Sequence, residues 1–250
     1  MVTIPISAPP RLDGQVAFVT GAAGGIGKEI VRAFVEQGAT VIATDLAEAN
    51  PFAGQAQVDY HRYDVTSDAE TDAVISAVLA KHGRVDSLVL CAGAISNLSL
   101  ADASDAEWEK MYRVNVMGAV NPLRRLYPVM VDQAFGKIVA LGSIAAKIGG
   151  VQSGPAYVAA KSAVHGIMKW VAKSGAGKGV YANIVAPGPV ETPMWDACTD
   201  RAPPSPHGSV PLGRYGQPED IAQGILFLCS PQSNWITGTT LDINGGMLMD

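Results

Sequence analysis

Seven short runs rich in β-branched residues alternate along the chain with longer segments of helical period, and this alternation limits the fold more than any single motif. The runs are Val16–Thr20, Thr40–Ala43, His61–Tyr63, Ser87–Cys91, Lys137–Leu141, Val180–Val185 and Thr240–Ile243. Several are apolar on both parities, as a strand covered on both faces must be. Between them lie Gly25–Gln37, Asp68–Lys81, Asp105–Val131, Pro155–Lys173 and Pro218–Cys229. Strands joined by crossover helices run parallel, which predicts an α/β Rossmann domain, a doubly wound parallel sheet of about seven strands with helices on both faces. The caps agree: Ser67 with Glu70 spells a capping box, Gly38 and Gly83 stand where a left-handed residue ends a helix, and Pro218 suits a first turn. Pro122 should kink or interrupt the segment around it.

With 250 residues, 48% of them hydrophobic, the chain can bury a full core without covalent staples. It reads as one domain over 1–250, with a proline-bearing, frayed tail at 1–12 and a Pro/Ser/Thr-rich substrate lid at 188–216. Cys91, Cys198 and Cys229 form no CxxC pair, and His61, His82, His165 and His207 lack ligand spacing, so no metal site is predicted. A formal charge of −5, with no basic block longer than Arg124–Arg125, argues against nucleic acid. The apolar stretch Leu88–Ile95 is far short of the ~20 residues that cross a bilayer. The start, MVTIPISAPPRLDG, lacks a basic, then apolar, leader, and the expected location is the cytoplasm.

The first strand runs into Thr20-Gly21-Ala22-Ala23-Gly24-Gly25-Ile26-Gly27 and then straight into a helix. Such a turn brings backbone N–H groups and the positive end of a helix against a pyrophosphate. Gly21, Gly25, Ile26 and Gly27 are its candidate cofactor contacts. Asp45 follows at the end of the second strand, where a carboxylate accepts from the adenosine ribose hydroxyls. With neutral Gly24 and Leu46 offering nothing to a 2′-phosphate, the expected cofactor is NAD. Further on, Tyr157 and Lys161 stand four apart on one helix face, so the ammonium can lower the phenol pKa from about 10 toward working pH. A tyrosine tuned in this way is a general acid/base.

Taken in order, the TGAAGGIG turn, Asp64 in YDV, the CAG of Cys91–Gly93, Asn115 in RVNV, Ser143 in GSIA, YVAAK, the APG of Ala186–Gly188 with Thr192 four residues on, and ITGTTLDINGG resemble the short-chain dehydrogenase/reductase family from Arg11 to Asp250. The resemblance implies that Tyr157 exchanges a proton with the substrate oxygen while Ser143 hydrogen-bonds it. Lys161 would hold the nicotinamide ribose, and Asn115 would position a water linking Lys161 to solvent. Asp64 and Val65 would contact adenine, Gly93 the ribose, and Pro187, Gly188, Val190 and Thr192 the nicotinamide end.

Three departures stand out. Leu90 and Cys91 replace the family's usual asparagines, which puts local bracing in doubt, and Tyr181 stands where an arginine is common. The glycine-rich KSGAGKG before it predicts a loose helix end. Trp108, Trp170 and Trp235 read as packing anchors, while Trp195 in the lid either closes over an apolar substrate or packs within the loop. His165, one turn beyond Lys161, could take a minor part at the ribose end.

The leading reading is an NAD(H)-dependent oxidoreductase that interconverts a secondary alcohol and a ketone, acting on a small molecule as a homotetramer. A second is a 3-oxoacyl carrier-protein reductase, suggested by VPLGRYGQPEDIA and NGGM. A third, a non-catalytic nucleotide-binding regulator, would suit a chain lacking Tyr157 or Lys161, and this chain has both.

Overall fold

A computed structural model describes residues 11–150, 153–196 and 209–249. Its centre is a seven-stranded parallel sheet in the order β3-β2-β1-β4-β5-β6-β7. The strands are β1 (Val16–Thr20), β2 (Thr40–Asp45), β3 (Val58–Arg62), β4 (Ser87–Leu90), β5 (Gly136–Leu141), β6 (Val180–Pro187) and β7 (Thr240–Ile243). The order reverses between β1 and β4, which opens a crevice at their carboxyl ends, the place where α/β sheets bind ligands.

Because side chains alternate along a strand, each strand feeds two cores. Val16, Phe18, Leu88, Ile138 and Ile184 point to one face. There they meet α2 (Asp68–His82), α4 (Gly118–Asp132) and α6 (Pro155–Gly175) through residues such as Ile75, Leu126 and Met168. Ala17, Val19, Val89, Val139 and Val185 point to the other, against Ile30 and Phe34 of α1 (Gly25–Glu36) and Ile225 of α8 (Pro218–Cys229). Near-continuous apolar strands were the sign of this double covering.

Four expectations change. The predicted helix Asp105–Val131 is three pieces: α3 (Asp105–Met111), a π-helical turn at Tyr112–Met117, and α4. Pro122 lies inside α4, and the break precedes it. Proline clashes with the carbonyl four residues back, at Gly118, where the wide turn ends. At α2, Ser67 accepts from the Glu70 N–H, but the Glu70 carboxylate accepts from the Asp64 N–H instead of closing the box. A full capping box stands at Gln217 and Asp220, ahead of α8. The tail is not frayed throughout, since Leu12 is fully buried and its N–H donates to Gln37 O at 2.8 Å. Finally, Trp170 and Trp235 are 66% and 99% exposed, so neither is a packing anchor, whereas Trp108 does pack against Met111 and Ala156.

Smaller pieces went unforeseen: α5 (Ala145–Ile148), α7 (Pro193–Asp196), and a 3₁₀ turn at Ala176–Lys178, the tightened end of α6 where a loose one was expected. Of the lid, 197–208, with Cys198 and His207, lies outside the described residues, as does the side chain of Trp195.

The amino-terminal edge of the sheet carries a buried polar row. Ser87, Lys137 and Tyr181 are register partners on β4, β5 and β6. Lys137 is 1% exposed, donates to Ser233 Oγ at 3.2 Å and lies 4.0 Å from the centre of the Tyr181 ring. Burial holds its pKa down at about 8.

Candidate active site

The glycine turn is shaped by positions that admit no side chain. Gly21 has φ +67°, and a Cβ there would come within 2.7 Å of the Ala92 backbone. At Gly27 a Cβ would stand 2.0 Å from Gly21 O, so any side chain would force α1 off the turn. The α1 amino terminus carries no side-chain cap, which leaves its polar end facing the crevice. Ile26 packs at the margin of the α1 core.

Asp45 is stitched to this turn. Its Oδ2 accepts from the Ala23 N–H at 2.9 Å and its Oδ1 from the Ala47 N–H at 3.1 Å. The carboxylate is thereby fixed at the rim of the crevice with lone pairs to spare. Position 46 is neutral as read, but the β2–β3 register sets Arg62 opposite Asp45, a neighbour that spacing along the chain could not reveal. Asp64 accepts at one oxygen, Oδ1, from the Thr66 N–H and hydroxyl, both at 2.8 Å. The Val65 side chain is buried, and a Cβ on Gly118 would lie 2.7 Å from it, so only the Val65 backbone can face a ligand.

Where asparagines were missed, Thr20 does the bracing. Its Oγ1 accepts from the N–H groups of Cys91 and Ala92, each at 3.1 Å, across the switch point. A threonine closing an otherwise apolar strand was the available signal. Cys91 is half-buried, and burial pushes its thiol up to about 12, which leaves it inert.

The catalytic candidates converge on the far side of the crevice. Asn115 sits in the π turn, where its Nδ2 donates to Ala94 O at 3.0 Å and to Met111 O at 3.1 Å, while its Oδ1 accepts from the Ala94 N–H at 3.2 Å. Between it and Lys161 lies Gly93. A Cβ there would be 2.9 Å from Asn115 Oδ1 and 3.6 Å from Lys161 Nζ, so a bare backbone is what admits a ligand edge. Lys161 is 5% exposed and donates to Leu141 O at 2.7 Å. Burial lowers its pKa to about 8. Its Nζ is 5.8 Å from the centre of the Tyr157 ring, one turn earlier on α6. Ser143, just past β5, accepts at Oγ from the Ala145 N–H at 3.1 Å, which leaves its proton to donate elsewhere. His165 lies close enough to Lys161 to feel its charge. Its ring lies against Gly142, where a Cβ would meet Nε2 at 2.4 Å, and burial with the nearby Lys161, Lys169 and Lys147 pushes its pKa down to about 4.

The remaining predicted contacts enclose the crevice. Pro187 ends β6, and the Gly188 N–H donates to Ile243 O at 3.0 Å. Val190 bridges to Gly216, and the chain then crosses to the glycine turn, where a Cβ on Gly25 would sit 3.0 Å from Thr192 Cγ2. Among the described residues no group of His, Cys, Asp or Glu could hold a metal, and no helix is long and apolar enough to cross a membrane.

A glycine-lined crevice at the switch point, a carboxylate fixed at its rim and the Asn115, Ser143, Tyr157 and Lys161 set are the features of an oxidoreductase site, and the chain belongs to the short-chain dehydrogenase/reductase family. Residues 21–248 match the family described as enoyl-(acyl carrier protein) reductase. Among curated relatives, 3-oxoacyl-(acyl-carrier-protein) reductase FabG of Thermotoga maritima is 36% identical over 249 residues, covering 96% of this chain and 100% of the relative. The 2-keto-3-deoxy-L-fuconate dehydrogenase of Xanthomonas campestris pv. campestris is 33% identical, covering 98% of this chain and 84% of that one. Among solved structures, 3-ketoacyl-(acyl-carrier-protein) reductase from Brucella melitensis, complexed with NADH, aligns with a TM-score of 0.87 and 29% identity over 95% of this chain and 99% of that one.

Proposed function

We propose that the protein is an NAD(H)-dependent oxidoreductase interconverting a secondary alcohol and a ketone, with Tyr157 as general acid/base. The observation that carries the reading is the meeting of Gly93, Asn115 and Lys161 beside Tyr157, at the end of a crevice whose other end is the Asp45-braced glycine turn. The glycine turn would hold the pyrophosphate, Asp45 the adenosine ribose, the Val65 backbone and Asp64 the adenine, and Lys161 the nicotinamide ribose. Bound there, the nicotinamide supplies or accepts a hydride.

The chain's own part is placement and proton transfer. Ser143, oriented by the Ala145 N–H, donates to the substrate oxygen on which negative charge develops during reduction. Tyr157 gives its phenolic proton to that oxygen, or takes it back during oxidation. The nearby Lys161 cation favours the charge that appears on the tyrosine oxygen when its proton leaves. Asn115 holds the loop after β4 against the π turn, which keeps Gly93 facing Lys161. Pro187, Gly188, Val190 and Thr192 bound the nicotinamide end.

Asp45 favours NAD(H), because a carboxylate accepts from two ribose hydroxyls and repels a phosphate in their place. The NADH named with the Brucella melitensis relative points the same way. Two separate apolar exposures support a homotetramer, one at Trp170 and Tyr112, and one at Trp235 and Leu212 toward the β7 edge. The cytoplasm remains the expected location.

A second reading, a 3-oxoacyl-(acyl-carrier-protein) reductase, is favoured by the names of the relatives. An acidic carrier needs free basic groups near the site. On α4, Arg125 pairs with Asp68 and Asp72 at 2.9 and 3.1 Å, and Arg124 with Asp68 at 3.4 Å, so the basic groups there stand among carboxylates that an acidic carrier would have to displace or approach. The deciding experiment is a panel of small ketones, secondary alcohols and 3-oxoacyl thioesters with NADH and NADPH, with product chirality determined. Turnover confined to carrier-bound thioesters with NADPH would reject the first reading.

A further inference from the structure

We infer that Arg62 is a latent partner for a ribose 2′-phosphate, held off by Asp45 and Glu48, so that this chain needs no added cation to accept NADP(H). The inference rests on Asp45 facing the adenosine ribose.

Asp45 and Arg62 are the last register pair of β2 and β3. Partners on neighbouring parallel strands, ~4.8 Å apart, project from one face of the sheet. Tyr60, two residues earlier on that face, donates its hydroxyl to Ala47 O and packs against Phe52, with ring centres 6.3 Å apart. The segment after β2 therefore folds over β3 and brings Glu48 to Arg62, with Nε 3.5 Å from Glu48 Oε1 and Nη1 2.9 Å from Glu70 Oε2.

Both pairs lie in solvent, with Arg62, Glu48 and Glu70 44%, 88% and 40% exposed. Pairs of this kind hold a guanidinium weakly. A phosphate dianion that meets the planar fork through two donors is the stronger acceptor. Against it stands a count of charges, since Arg62 is paired with the carboxylates of Glu48 and Glu70 and has a third carboxylate, Asp45, on its register partner. The three are not equivalent. Glu70 also receives the Asp64 N–H at 2.9 Å and belongs to the start of α2, whereas Glu48 is almost wholly in solvent and could swing aside. Asp45 is the barrier that does not move, because two backbone N–H groups fix it.

The test is binding rather than turnover, using 2′,5′-ADP and 5′-AMP as probes of the full-length protein by calorimetry. The wild-type chain should favour 5′-AMP. Asp45→Ser should raise the affinity for 2′,5′-ADP relative to 5′-AMP by about 10-fold or more, the effect of removing one carboxylate a few ångströms from a dianion. Adding Arg62→Gln to that background should abolish the gain, Arg62→Lys should keep part of it, and Glu48→Gln should enlarge it. Asp45→Asn serves as the background if the serine variant does not fold. A gain that survives Arg62→Gln, or no gain in either folded Asp45 variant, overturns the role of Arg62. A wild-type preference for 2′,5′-ADP instead sinks the NAD(H) assignment. In that case Arg62 stands only if Arg62→Gln alone removes the preference.

Discussion

Lys137 offers a perturbation whose size can be worked out in advance. Its pKa falls from 10.5 to about 8 in the folded chain, which corresponds to roughly 3 kcal/mol for burying the ammonium at neutral pH. The contact with the Tyr181 ring works the other way, by about 1 kcal/mol, and leaves roughly 2 kcal/mol. The sign follows from linkage. With the folded pKa below the unfolded value, the folded state binds fewer protons between pH 8 and 10.5, so stability rises with pH through that window. Lys161 has a similar shift and the same sign, so the slope of the wild-type protein alone would not identify its source. The comparison with Lys137→Met does, because the Lys161 contribution is common to both proteins and cancels. Methionine keeps the unbranched stem, and Ser233 retains Leu228 O at 2.8 Å and Ser230 O at 3.0 Å as acceptors, so no hydroxyl is stranded. The neighbouring Cys229 thiol, pushed up to about 12 by burial, does not titrate in this range. About 0.8 of those 2 kcal/mol is recovered only above pH 10, because the unfolded lysine is still mostly protonated there, so at ~2–4 °C per kcal/mol for a chain of this size the Tm of Lys137→Met relative to wild type should fall by roughly 2–5 °C between pH 7 and pH 10. Melting curves that stay parallel across that range would refute the reasoning.

Four further outcomes are expected. Tyr157→Phe should abolish turnover yet leave NADH affinity within a few-fold in a fluorescence titration; residual turnover near the wild-type rate would remove Tyr157 from its role. Ser143→Ala should lower kcat by about 10²–10³ with little change in KM, the loss typical of one oxyanion donor, and a KM effect alone would argue against it. Thr20→Val keeps the strand's shape but deprives the Cys91 and Ala92 N–H groups of their acceptor, so it should weaken NADH binding and speed hydrogen exchange at those two amides. Light scattering at micromolar concentration should give four copies of the 26.0 kDa chain, where a stable monomer would reject both interfaces and a dimer one of them.

The strands were readable because each had to satisfy two cores at once, and double covering writes itself as uninterrupted apolar sequence. Helix ends were readable wherever one residue supplies the cap, as at Gly83 and Pro218. What escaped depends on geometry across the chain. The π turn adds no unusual residue types, Glu70 chose the Asp64 N–H over its own cap, and Thr20 became a brace only because the loop after β4 folds back upon it. Trp170 and Trp235 were misplaced for a related reason: a large apolar side chain reads as core in a sequence, whether or not its face is turned inward. At the site, spacing pointed to Tyr157 and Lys161, while Ser143 and Asn115 came through the family resemblance. Arg62 was hidden by the 16 residues between it and Asp45, which the β2–β3 register collapses to one strand spacing.

The wide turn at Tyr112–Met117 separates two helices that answer to different neighbours, α3 leaning on α6 and α4 on α2 and β5. An α-helix advances ~100° per residue, so a change of one residue in length rotates everything downstream by that angle. Deleting a single residue here would suit the backbone, which could relax to uniform α-helical pitch. It would also swing either Asn115 away from Ala94 or Leu123 and Leu126 away from the sheet. Beyond the buried Asn115 and Val116, this stretch should therefore tolerate changes of side chain at exposed positions such as Tyr112 while accepting no change in its length, a constraint on indels as much as on composition.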